Sequence, residues 1–363
     1  MGENQIMGGI SMNWYKLRVL GMRDVSIRHL MKGTKRFDDI FKLDDQQLRK
    51  YFKLDDSDID KLNKIHKINM DEEISILMKH KVKVINLKSA EYPEDLKNIS
   101  QSPLFLYYKG NIKLLNTRKI AVVGTRKATG YGKMACERIT EGLVDAGITT
   151  VSGLALGIDA ICHNRTLEKK GSTVAVIGSG MDVIYPRINR GLWEKIEKEG
   201  LIISEYPLGT EPTNFNFPMR NRIIVGISRG VVVVESQERG GSLITAGIAL
   251  EESRDVFAIP GDMFSPSSQG CNTLIKRSQA KLITDVQDIF DEYGWSGQKE
   301  DHELPKLTEE ESKIYGDLVK ERTLDELIIS TGYKASDLLS MLMEMEIKGA
   351  TVSVGGGRYR RKI

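Results

Sequence analysis

The sequence predicts an α/β protein in which an extended Rossmann-like parallel sheet domain is flanked by an N-terminal helical domain and a C-terminal winged helix. From Lys119 onward, short apolar runs alternate with helical patterns, which is typical of parallel strands covered by helices on both faces. Runs such as Val231–Val234 are continuously apolar, as expected of strands that are buried on both faces. The capping and turn residues near the C-terminus indicate the winged helix.

The composition is that of an ordinary globular protein. A chain of 363 residues is long enough for two or three domains. Its formal net charge of +3 means that affinity for a polyanion must come from local clusters of cations. The three cysteines are far apart, the histidines form no paired spacing, and no apolar run is long enough to span a membrane. We therefore expect reduced thiols, no zinc site, no signal peptide and a cytoplasmic location.

The pattern divides the chain into five segments. We expect an N-terminal helical domain at 1–75, an extension of the Rossmann-like domain at 76–115, the Rossmann-like domain itself at 116–294, a linker at 295–305 and a winged helix at 306–363. The linker is marked by polar and charged residues, and the first 12 residues form an extension without assignable structure.

The N-terminal domain shows helical periodicity with short connections. Leu17 and Leu20 fall at helical spacing beside Gly21, and Asp44 and Asp55 stand where helix N-caps are expected. This pattern is typical of a SAM-like or helix-hairpin-helix domain. The amides of a hairpin turn can hold a phosphate, but one glycine in a helical hairpin is more often just a turn.

The predicted strands and helices of the sheet domain alternate along the chain. The strands are Ile120–Val123, Thr149–Val151, Thr173–Ile177, Leu201–Ser204, Val231–Glu235 and Val256–Ile259. The helices are Tyr131–Ala146, Ile158–Lys169, Asn189–Glu199, Arg220–Ser228 and Leu243–Ser253. Ligands of such sheets bind outside the carboxyl ends of the strands, so the loops after the strands are the candidate site.

The first of these loops, Gly124–Gly132, is rich in glycine but matches no nucleotide-binding fingerprint. It is not G-x-G-x-x-G, and it lacks the G-K-[ST] of a phosphate loop. No acidic residue ends the second strand to hold a ribose, which disfavours an NAD site. Arg126 stands where a phosphate would lie.

Two more glycine-rich loops follow the next two strands. In the loop 152–159, Asp159 stands four residues before His163. We interpret Asp159 as a first-turn residue that supports the helix dipole and His163 as a satisfied helical histidine, not as an acid–base pair. The third loop, Gly178–Gly180, leads to Arg187, which adds a cation at the crevice.

The segment Pro212–Ala246 concentrates the features of a nucleic-acid site. Phe215 and Phe217 stand beside Arg220 and Arg222. A ring can stack on any base, and a guanidinium can grip a phosphate as a fork. The alternative is that the phenylalanines belong to the core and the arginines to the solvated surface. Spacing alone leaves open which phenylalanine stacks: an extended segment would present both, whereas a turn would bury one.

The turn Gly240-Gly241-Ser242 opens a helix in the same segment. Small residues at a helix N-terminus make an anion site. No nucleophile with a base and an orienting group is visible, because the serines have no plausible histidine partner other than His163. We therefore expect a protein that holds a polyanion and has no catalytic residues, metal or cofactor.

The C-terminal segment predicts the winged helix. Thr323–Glu326 is a capping box, and Gly332 marks a turn before the third helix, Ser336–Lys348. DNA reading would occur on that third helix, but its three carboxylates against one lysine would repel phosphate. Its methionines and leucines suit a protein partner or core packing, and the basic tail Arg358–Lys362 could still touch a DNA backbone.

Several motifs together resemble the DNA-processing protein A family (DprA, also called Smf). They are GTR at 124–126, SGLALGIDA at 152–160, IGSGMDVIYP at 177–186, SEYPLG at 204–209, FNFPMRNRIIVGIS at 215–228, GGSLITA at 240–246 and DVFAIPG at 255–261. The stretch YPEDLKNISQSPLFLYYKGN at 92–111 is similar to the family's lead-in to its Rossmann domain. The resemblance covers nearly the whole chain.

The resemblance implies a homodimer, joined through the Rossmann domain, that binds single-stranded DNA without sequence specificity. It also implies that the protein loads the RecA recombinase onto that DNA in natural transformation and homologous recombination. Carried onto this chain, the DNA-binding residues would be Gly124, Thr125, Arg126, Ser152, Gly153, Gly157, Arg187, Phe215, Phe217, Arg220, Asn221, Arg222, Gly240, Gly241 and Ser242. In one departure, Leu156 stands where many relatives have a lysine, so one phosphate contact is missing or moved.

Two rival functions come from other classes. Similar Rossmann domains occur in phosphoribohydrolases that cleave nucleoside monophosphates, where a Glu on the helix after the Gly-Gly turn supports the chemistry; here that would be Glu251 or Glu252. A mononucleotide needs a closed pocket, whereas a strand needs an open groove with cations along it, and the spread of arginines favours the groove. A nucleotide sensor coupled to a winged-helix transcription factor is disfavoured by the acidic third helix.

Overall fold

The computed structural model describes residues 12–295, 307–318 and 321–361. The chain divides into two compact units, Met1–Gln298 and Lys299–Ile363. The predicted N-terminal extension and the predicted linker lie outside the described residues, apart from Met12 and Trp295. No helix in the described part of the chain is long and apolar enough to cross a membrane.

The first unit begins with short helices. They are α1 (Met12–Val19), α2 (Asp24–Gly33), a 3-10 helix (Phe37–Lys42), α3 (Asp45–Phe52), α4 (Asp56–Asn63), a second 3-10 helix (Ile65–Lys67) and α5 (Met70–Lys79). Both predicted N-caps are confirmed. The Asp44 carboxylate accepts from the Gln47 amide at 2.8 Å, and the Asp55 carboxylate accepts from the Asp58 amide at 2.9 Å. Each cap satisfies an amide that has no partner inside its helix.

The predicted parallel sheet is confirmed, and it is wider than predicted. Its strands are β1 (Lys83–Asn86), β2 (Phe105–Gly110), β3 (Lys119–Val123), β4 (Thr149–Ser152), β5 (Thr173–Val176), β6 (Leu201–Ser204), β7 (Gly230–Val233), β8 (Asp255–Ala258) and β9 (Lys281–Leu282). In the sheet they stand in the order β1-β2-β6-β5-β4-β3-β7-β8-β9. The strands from β6 to β9 in this order pair in parallel, whereas β2 is antiparallel to both β1 and β6.

Helices cover both faces of the sheet. They are α6 (Glu94–Lys97), α7 (Gly130–Asp145), α8 (Ile158–Glu168), α9 (Arg190–Glu199), α10 (Asn216–Gly226), α11 (Gly241–Glu251), α12 (Gln269–Lys276) and α13 (Gln287–Tyr293). Along β3, Ile120 and Val122 pack with α7 and α8, whereas Ala121 and Val123 pack with α10 and α11. This alternation follows from the two-residue period of a strand, and it explains why Ile120–Val123 of β3 are all apolar.

The N-terminal helices share a core with one end of the sheet. Tyr15 and Leu17 of α1 belong to the same buried cluster as Tyr107 of β2 and Trp193 of α9. The Tyr15 hydroxyl donates to Glu73 at 3.0 Å and lies 3.2 Å from the Tyr107 hydroxyl. A separate domain ending at residue 75 therefore stays a proposal, because the segment packs directly on the strands that follow it.

The second unit is the predicted winged helix. It contains α14 (Glu309–Asp317), β10 (Arg322–Thr323), α15 (Leu324–Thr331), α16 (Ala335–Ile347), β11 (Thr351–Gly355) and β12 (Arg358–Arg361). The three strands form a small sheet in the order β10-β12-β11. The Thr323 hydroxyl accepts from the Glu326 amide at 3.2 Å and the Glu326 carboxylate accepts from the Thr323 amide at 2.8 Å, which confirms the predicted capping box.

Candidate nucleic-acid interface

A cleft lies at the carboxyl ends of the central strands. The chain moves from β3 to β4, β5 and β6 on one side and returns to β7, β8 and β9 on the other. Loops diverge at such a switch point and leave a crevice. The main cavity there has a volume of about 400 Å³, and a smaller pocket of about 50 Å³ adjoins it. Residues that line both are Arg126, Ala155, Phe217 and Arg220.

The first glycine-rich loop is tied to the end of β7 by Glu235. The Thr125 amide donates to the Glu235 carbonyl at 2.8 Å. The amide and hydroxyl of Thr129 donate to the Glu235 carboxylate at 2.9 and 2.7 Å. Thr129 in turn caps α7 by accepting from the Gly132 amide at 3.1 Å. The loop that carries Arg126 therefore has a fixed shape.

Glycines let the second loop approach the first. Gly157 has a φ of +73°, and a Cβ there would overlap the Thr125 carbonyl oxygen. The Ile158 amide donates to that same carbonyl at 3.1 Å. A Cβ on Gly124 would lie 2.6 Å from Cγ1 of Ile158. The predicted residues Gly124, Thr125 and Gly157 thus form one packed junction beneath Arg126.

Arg126 and Phe217 form an accessible cation and aromatic pair in the cleft. Arg126 is exposed, and its guanidinium carbon lies 5.6 Å from the centroid of the Phe217 ring. The half-buried Phe217 ring stacks on Tyr185 with centroids 5.5 Å apart and planes 27° apart. No carboxylate forms an ion pair with Arg126 among the described residues, so its charge is available to an anion.

Phe215 has a different environment from Phe217. It stands immediately before α10, its side chain is 74% exposed, and it lines neither of the two pockets. Because α10 begins at Asn216, four residues earlier than predicted, the two rings are not related by strand geometry. Neither phenylalanine is buried in the core, so the expected choice between a stacking ring and a core anchor does not arise.

Arg220 is buried and holds the cleft wall together. Its side chain is 5% exposed, and it donates to the carbonyls of Gly153, at 2.6 Å, and Val176. Burial lowers the pKa of Arg220 to about 10, which leaves it charged at neutral pH. A Cβ on Gly153 would lie 2.7 Å from the guanidinium carbon of Arg220, so this position admits only glycine without rearrangement. Asn221, which lines the main cavity, accepts from Arg220 at 3.1 Å.

Arg222 does not reach the cleft. Its guanidinium pairs with the Glu205 carboxylate, and both side chains are about nine-tenths buried. The Glu205 carbonyl accepts from Arg18 of α1 at 2.7 Å. Burial raises the pKa of Glu205. The cation predicted to hold a phosphate is thus held inside the first unit, beside the N-terminal helices.

Ser152 and Arg187 also lie outside the residues that line the two pockets. Ser152 is fully buried, and its hydroxyl donates to the Val122 carbonyl at 2.7 Å. Arg187 is exposed and follows Pro186, which lines the smaller pocket.

The N-terminus of α11 closes the opposite side of the cleft. Gly240, Gly241 and Ser242 line the main cavity, and the Ser242 hydroxyl donates to the Ser236 hydroxyl at 2.9 Å. A Cβ on Gly241 would meet no atom within 4 Å, so the space in front of this turn is open. The first amides of a helix have no partner inside the helix and favour an anion there.

Sequence reasoning missed Glu235 and Tyr185 as residues of this site, and it gave Asp159 only a role in the first turn of its helix. Glu235 could have been suspected because a carboxylate that ends a buried apolar strand requires partners. Asp159 lines the main cavity and accepts from the amides of Gly153 and Ala155 at 3.0 and 3.4 Å, and burial raises its pKa. Tyr185 left no signal in the sequence, because its role depends on its contact with Phe217.

His163 is satisfied only in part: Nε2 is buried and has no hydrogen-bond partner among the described residues, whereas Nδ1 has one. Its Nδ1 lies 2.7 Å from the Thr173 hydroxyl, and burial lowers its pKa to about 3. A neutral, fully buried ring does not form an acid–base pair with Asp159. In the described part of the chain, no three His, Cys, Asp or Glu side chains are grouped to hold a metal ion.

The carboxylates of the rival hydrolase function lie far from the cleft. Glu251 ends α11 and Glu252 follows it, whereas the cleft lies at the N-terminus of that helix. Ten residues of α-helix span about 15 Å. The Glu252 carboxylate accepts from the Ser100 amide at 3.1 Å and so has a structural partner. Neither glutamate can act on a group bound beside Gly241.

Comparisons with known proteins agree with this architecture. The sequence profile of the family described as DNA recombination-mediator protein A matches residues 83–294, and that of the DprA winged helix domain matches residues 298–357. The DNA processing protein DprA of Streptococcus pneumoniae is 48% identical over 202 residues, which are 56% of this chain and 71% of that protein. The protein Smf of Escherichia coli is 35% identical over 298 residues, which are 76% of this chain and 77% of that protein.

Two solved structures have the same fold. The X-ray structure of DNA processing protein A from S. pneumoniae matches with a TM-score of 0.68 and 38% identity over 77% of this chain and 98% of that chain. DNA processing protein A from Helicobacter pylori matches with a TM-score of 0.54 and 30% identity over 58% of this chain and 95% of that chain. The H. pylori structure was described for its single-stranded DNA binding mode.

Proposed function

This chain belongs to the DNA recombination-mediator protein A family, and from that membership we propose that it binds single-stranded DNA without sequence specificity. The observation that carries the proposal is the exposed Arg126, which has no ion-pair partner in the described part of the chain, beside the stacked rings of Phe217 and Tyr185. These groups stand opposite the open N-terminus of α11 at Gly241. A base can stack on the aromatic side of this cleft while its phosphate meets the cation or the helix amides.

The geometry favours a single strand over a duplex. Stacking needs an exposed face of a base, and bases in a duplex are already stacked on their neighbours. Contacts to the flat faces of bases and to phosphates carry no sequence information, so we expect binding that does not depend on sequence. The relative from H. pylori, whose structure was described for single-stranded DNA binding, supports the same proposal.

The proposed partner, oligomeric state and location are supported by membership of the family. We propose that the protein loads the RecA recombinase onto the bound strand in natural transformation and homologous recombination, as a homodimer joined through the Rossmann-like domain. Such partners act in the cytoplasm, so we propose that location. Relatives named DNA processing proteins support a role on DNA. We propose no catalytic turnover.

The binding proposal is tested by fluorescence anisotropy with labelled oligonucleotides. We expect a single strand to bind far more tightly than the duplex of the same sequence, and affinity to fall as salt rises because a few phosphates release counterions. Several unrelated single-strand sequences serve as a control for sequence dependence. Equal affinity for single strand and duplex would contradict the stacking cleft.

A second assay separates binding from the phosphoribohydrolase alternative. Nucleoside monophosphates are incubated with the protein, and release of ribose 5-phosphate is followed. We expect none. Turnover that is lost in Glu251→Ala or Glu252→Ala, with single-strand binding unchanged, would favour the hydrolase instead.

A further inference from the structure

An exposed aromatic side chain lies on the loop that follows β8. Phe264 is 83% exposed and its neighbour Met263 is 74% exposed. An aromatic ring is one of the largest apolar side chains, and leaving it in water forgoes the free energy of its burial. The exposed ring is therefore open to contact with a ligand.

Hydrogen bonds within the loop fix its shape. The Phe264 amide donates to the Asp262 carboxylate at 2.8 Å, and the Ser265 amide donates to the Asp262 carbonyl at 3.1 Å. At the base of the loop, Gly261 and the Asn272 side chain exchange two hydrogen bonds, at 3.1 and 3.0 Å. A ring on such a loop can receive a ligand without ordering the backbone first.

The loop lies on the same edge of the sheet as the cleft. β7 lies between β3 and β8, and strands are spaced about 4.8 Å apart, so the ends of β3 and β8 are roughly 10 Å apart. Phe217 packs on Tyr185 in the loop after β5, and β5 and β8 are four strand spacings apart, which is roughly 19 Å. At 3.4 Å per stacked nucleotide, that separation corresponds to about five or six nucleotides.

Hydrogen bonds also connect the loop to the walls of the cleft. The amide of Gly270, in the first turn of α12 directly after the loop, donates to the Ser236 carbonyl at 2.8 Å, and the Ser236 hydroxyl accepts from Ser242 of the cleft. The hydroxyl of Tyr131, in the first turn of α7, donates to the Pro260 carbonyl at 2.5 Å. The loop, the first glycine-rich loop and the N-terminus of α11 thus form one continuous edge.

We propose that Phe264 is a second stacking platform, which binds a base of the same single strand a few nucleotides away from the base held at Phe217. The inference rests on the proposed function, because it extends the path of the strand bound in the cleft. The occupant is a nucleobase: apart from Met263 and Pro266, the residues around the ring are polar, namely Asp262, Ser265 and Ser267, and they do not extend the apolar surface as a protein partner would need. The negative charge of Asp262 repels a phosphate, so the contact at this loop is with a base and not with a phosphate.

The test compares oligothymidylates of increasing length on the full chain by fluorescence anisotropy across a salt series. Phe264→Ala leaves a short oligonucleotide that fills only the cleft unaffected. It weakens binding of a longer one by about 5- to 150-fold, the range for one stacked base. The slope of log K against log salt stays unchanged, because a ring releases no counterions.

Three control variants sharpen the test. Phe264→Tyr keeps a stacking face and restores long-strand binding, whereas Phe264→Leu keeps apolar area without a π-face and does not. Tyr51→Ala removes an aromatic that is 64% exposed on α3 and leaves both lengths unaffected. Full binding by Phe264→Leu, or a change in oligomeric state of Phe264→Ala by light scattering, would assign the loop to protein contacts and overturn the proposal.

Loss of all single-strand binding and loss of the second platform alone give different results. If the wild-type chain binds no oligonucleotide of any length, the proposed function and the second platform fall together. If the wild-type chain binds single strands and Phe264→Ala binds every length equally well, the second platform alone is wrong. A photo-crosslink from 5-iodouracil to residues 262–265 in the long complex, absent in the short one, would support it directly.

Discussion

Three arginines near the cleft have three different environments. Arg126 is exposed beside an aromatic ring, Arg220 is buried against two carbonyl groups, and Arg222 pairs with the buried Glu205. A guanidinium that is already paired cannot neutralise a phosphate without losing its partner. Of the three, we therefore expect only Arg126 to contribute a full charge to DNA binding.

Replacing Arg126 is predicted to change binding and not stability. Arg126→Ala should weaken binding to every sequence alike and reduce the slope of log K against log salt by about one, because one phosphate contact is lost. The melting temperature should stay within about 1–2 °C, since the side chain is exposed. Anisotropy across a salt series and thermal unfolding measure the two effects.

Arg222→Ala is the matched control, with the opposite expected result. It leaves the Glu205 carboxylate buried without its partner, which should reduce the free energy of unfolding by about 3–5 kcal/mol. The salt slope of the folded variant should equal that of the wild type. An altered slope in Arg222→Ala with normal stability would show that Arg222 meets phosphate after all.

The two phenylalanines are predicted to behave differently. Phe217→Ala should weaken single-strand binding by about 1–3 kcal/mol without changing the salt slope, because it removes a stacking face. Phe215→Ala should have a smaller effect on binding and leave the melting temperature unchanged, because that ring lies outside the two pockets and is 74% exposed. A larger loss of affinity in Phe215→Ala would reverse the assignment.

At the scale of elements, the cleft depends on loops whose backbones pack against each other. Gly157 has a φ of +73°, and a Cβ there would overlap the Thr125 carbonyl oxygen, whereas Gly241 has open space where a Cβ would stand. We predict that Gly157→Ala lowers the free energy of unfolding by more than about 1 kcal/mol and weakens DNA binding, because the loop that carries Arg126 is displaced.

Gly241→Ala provides the control for this prediction. Its Cβ meets nothing within 4 Å and its φ is not positive, so the fold should keep its stability or gain slightly, as alanine favours a helix. Urea unfolding compares the two variants. Equal stabilities would mean that the junction between the first two loops is not a structural constraint.

The third helix of the winged helix is an unusual surface for this architecture. Leu339, Met343 and Ile347 of α16 are 42%, 69% and 86% exposed, and positions four apart lie on one helix face. Glu344 is exposed on the same helix. An apolar face on a helix with exposed acidic residues is unsuited to a DNA groove, which agrees with the expectation that this helix does not read DNA.

At the scale of the whole molecule, a buried histidine links stability to pH. The folded state holds the pKa of His163 at about 3 against an ordinary value of 6.5, so between these values the unfolded chain binds more protons. Above about pH 6.5 this histidine does not reduce the free energy of unfolding. Below pH 6.5 the free energy of unfolding falls as the pH drops, by up to about 1.4 kcal/mol per pH unit.

The measurement is urea unfolding from pH 7.5 to 4.5. His163→Asn, which keeps a polar group near Thr173, should show a shallower loss of stability with falling pH than the wild type. His66→Gln, at an exposed position, should follow the wild type. Identical pH profiles for His163→Asn and the wild type would show that the buried ring is not the linked group.

Much of this protein follows from its sequence. Helix and strand positions depend on signals between near neighbours, such as the apolar run at Val231–Val234 and the caps at Asp44 and Asp55, and all of these are confirmed. The glycine-rich loops were located because parallel strands end at one edge. The family could be recognised because its motifs occupy those loops.

Only the tertiary structure decided which side chains face the cleft. Arg222 pairs with Glu205, 17 residues away, and Glu235 holds Thr129, 106 residues away. Tyr185 stacks on Phe217 from another loop. The periodicity of a helix or strand says which face a residue occupies, but the partner on that face comes from elements brought together by folding. A charge is free or paired according to those partners, and no local pattern records them.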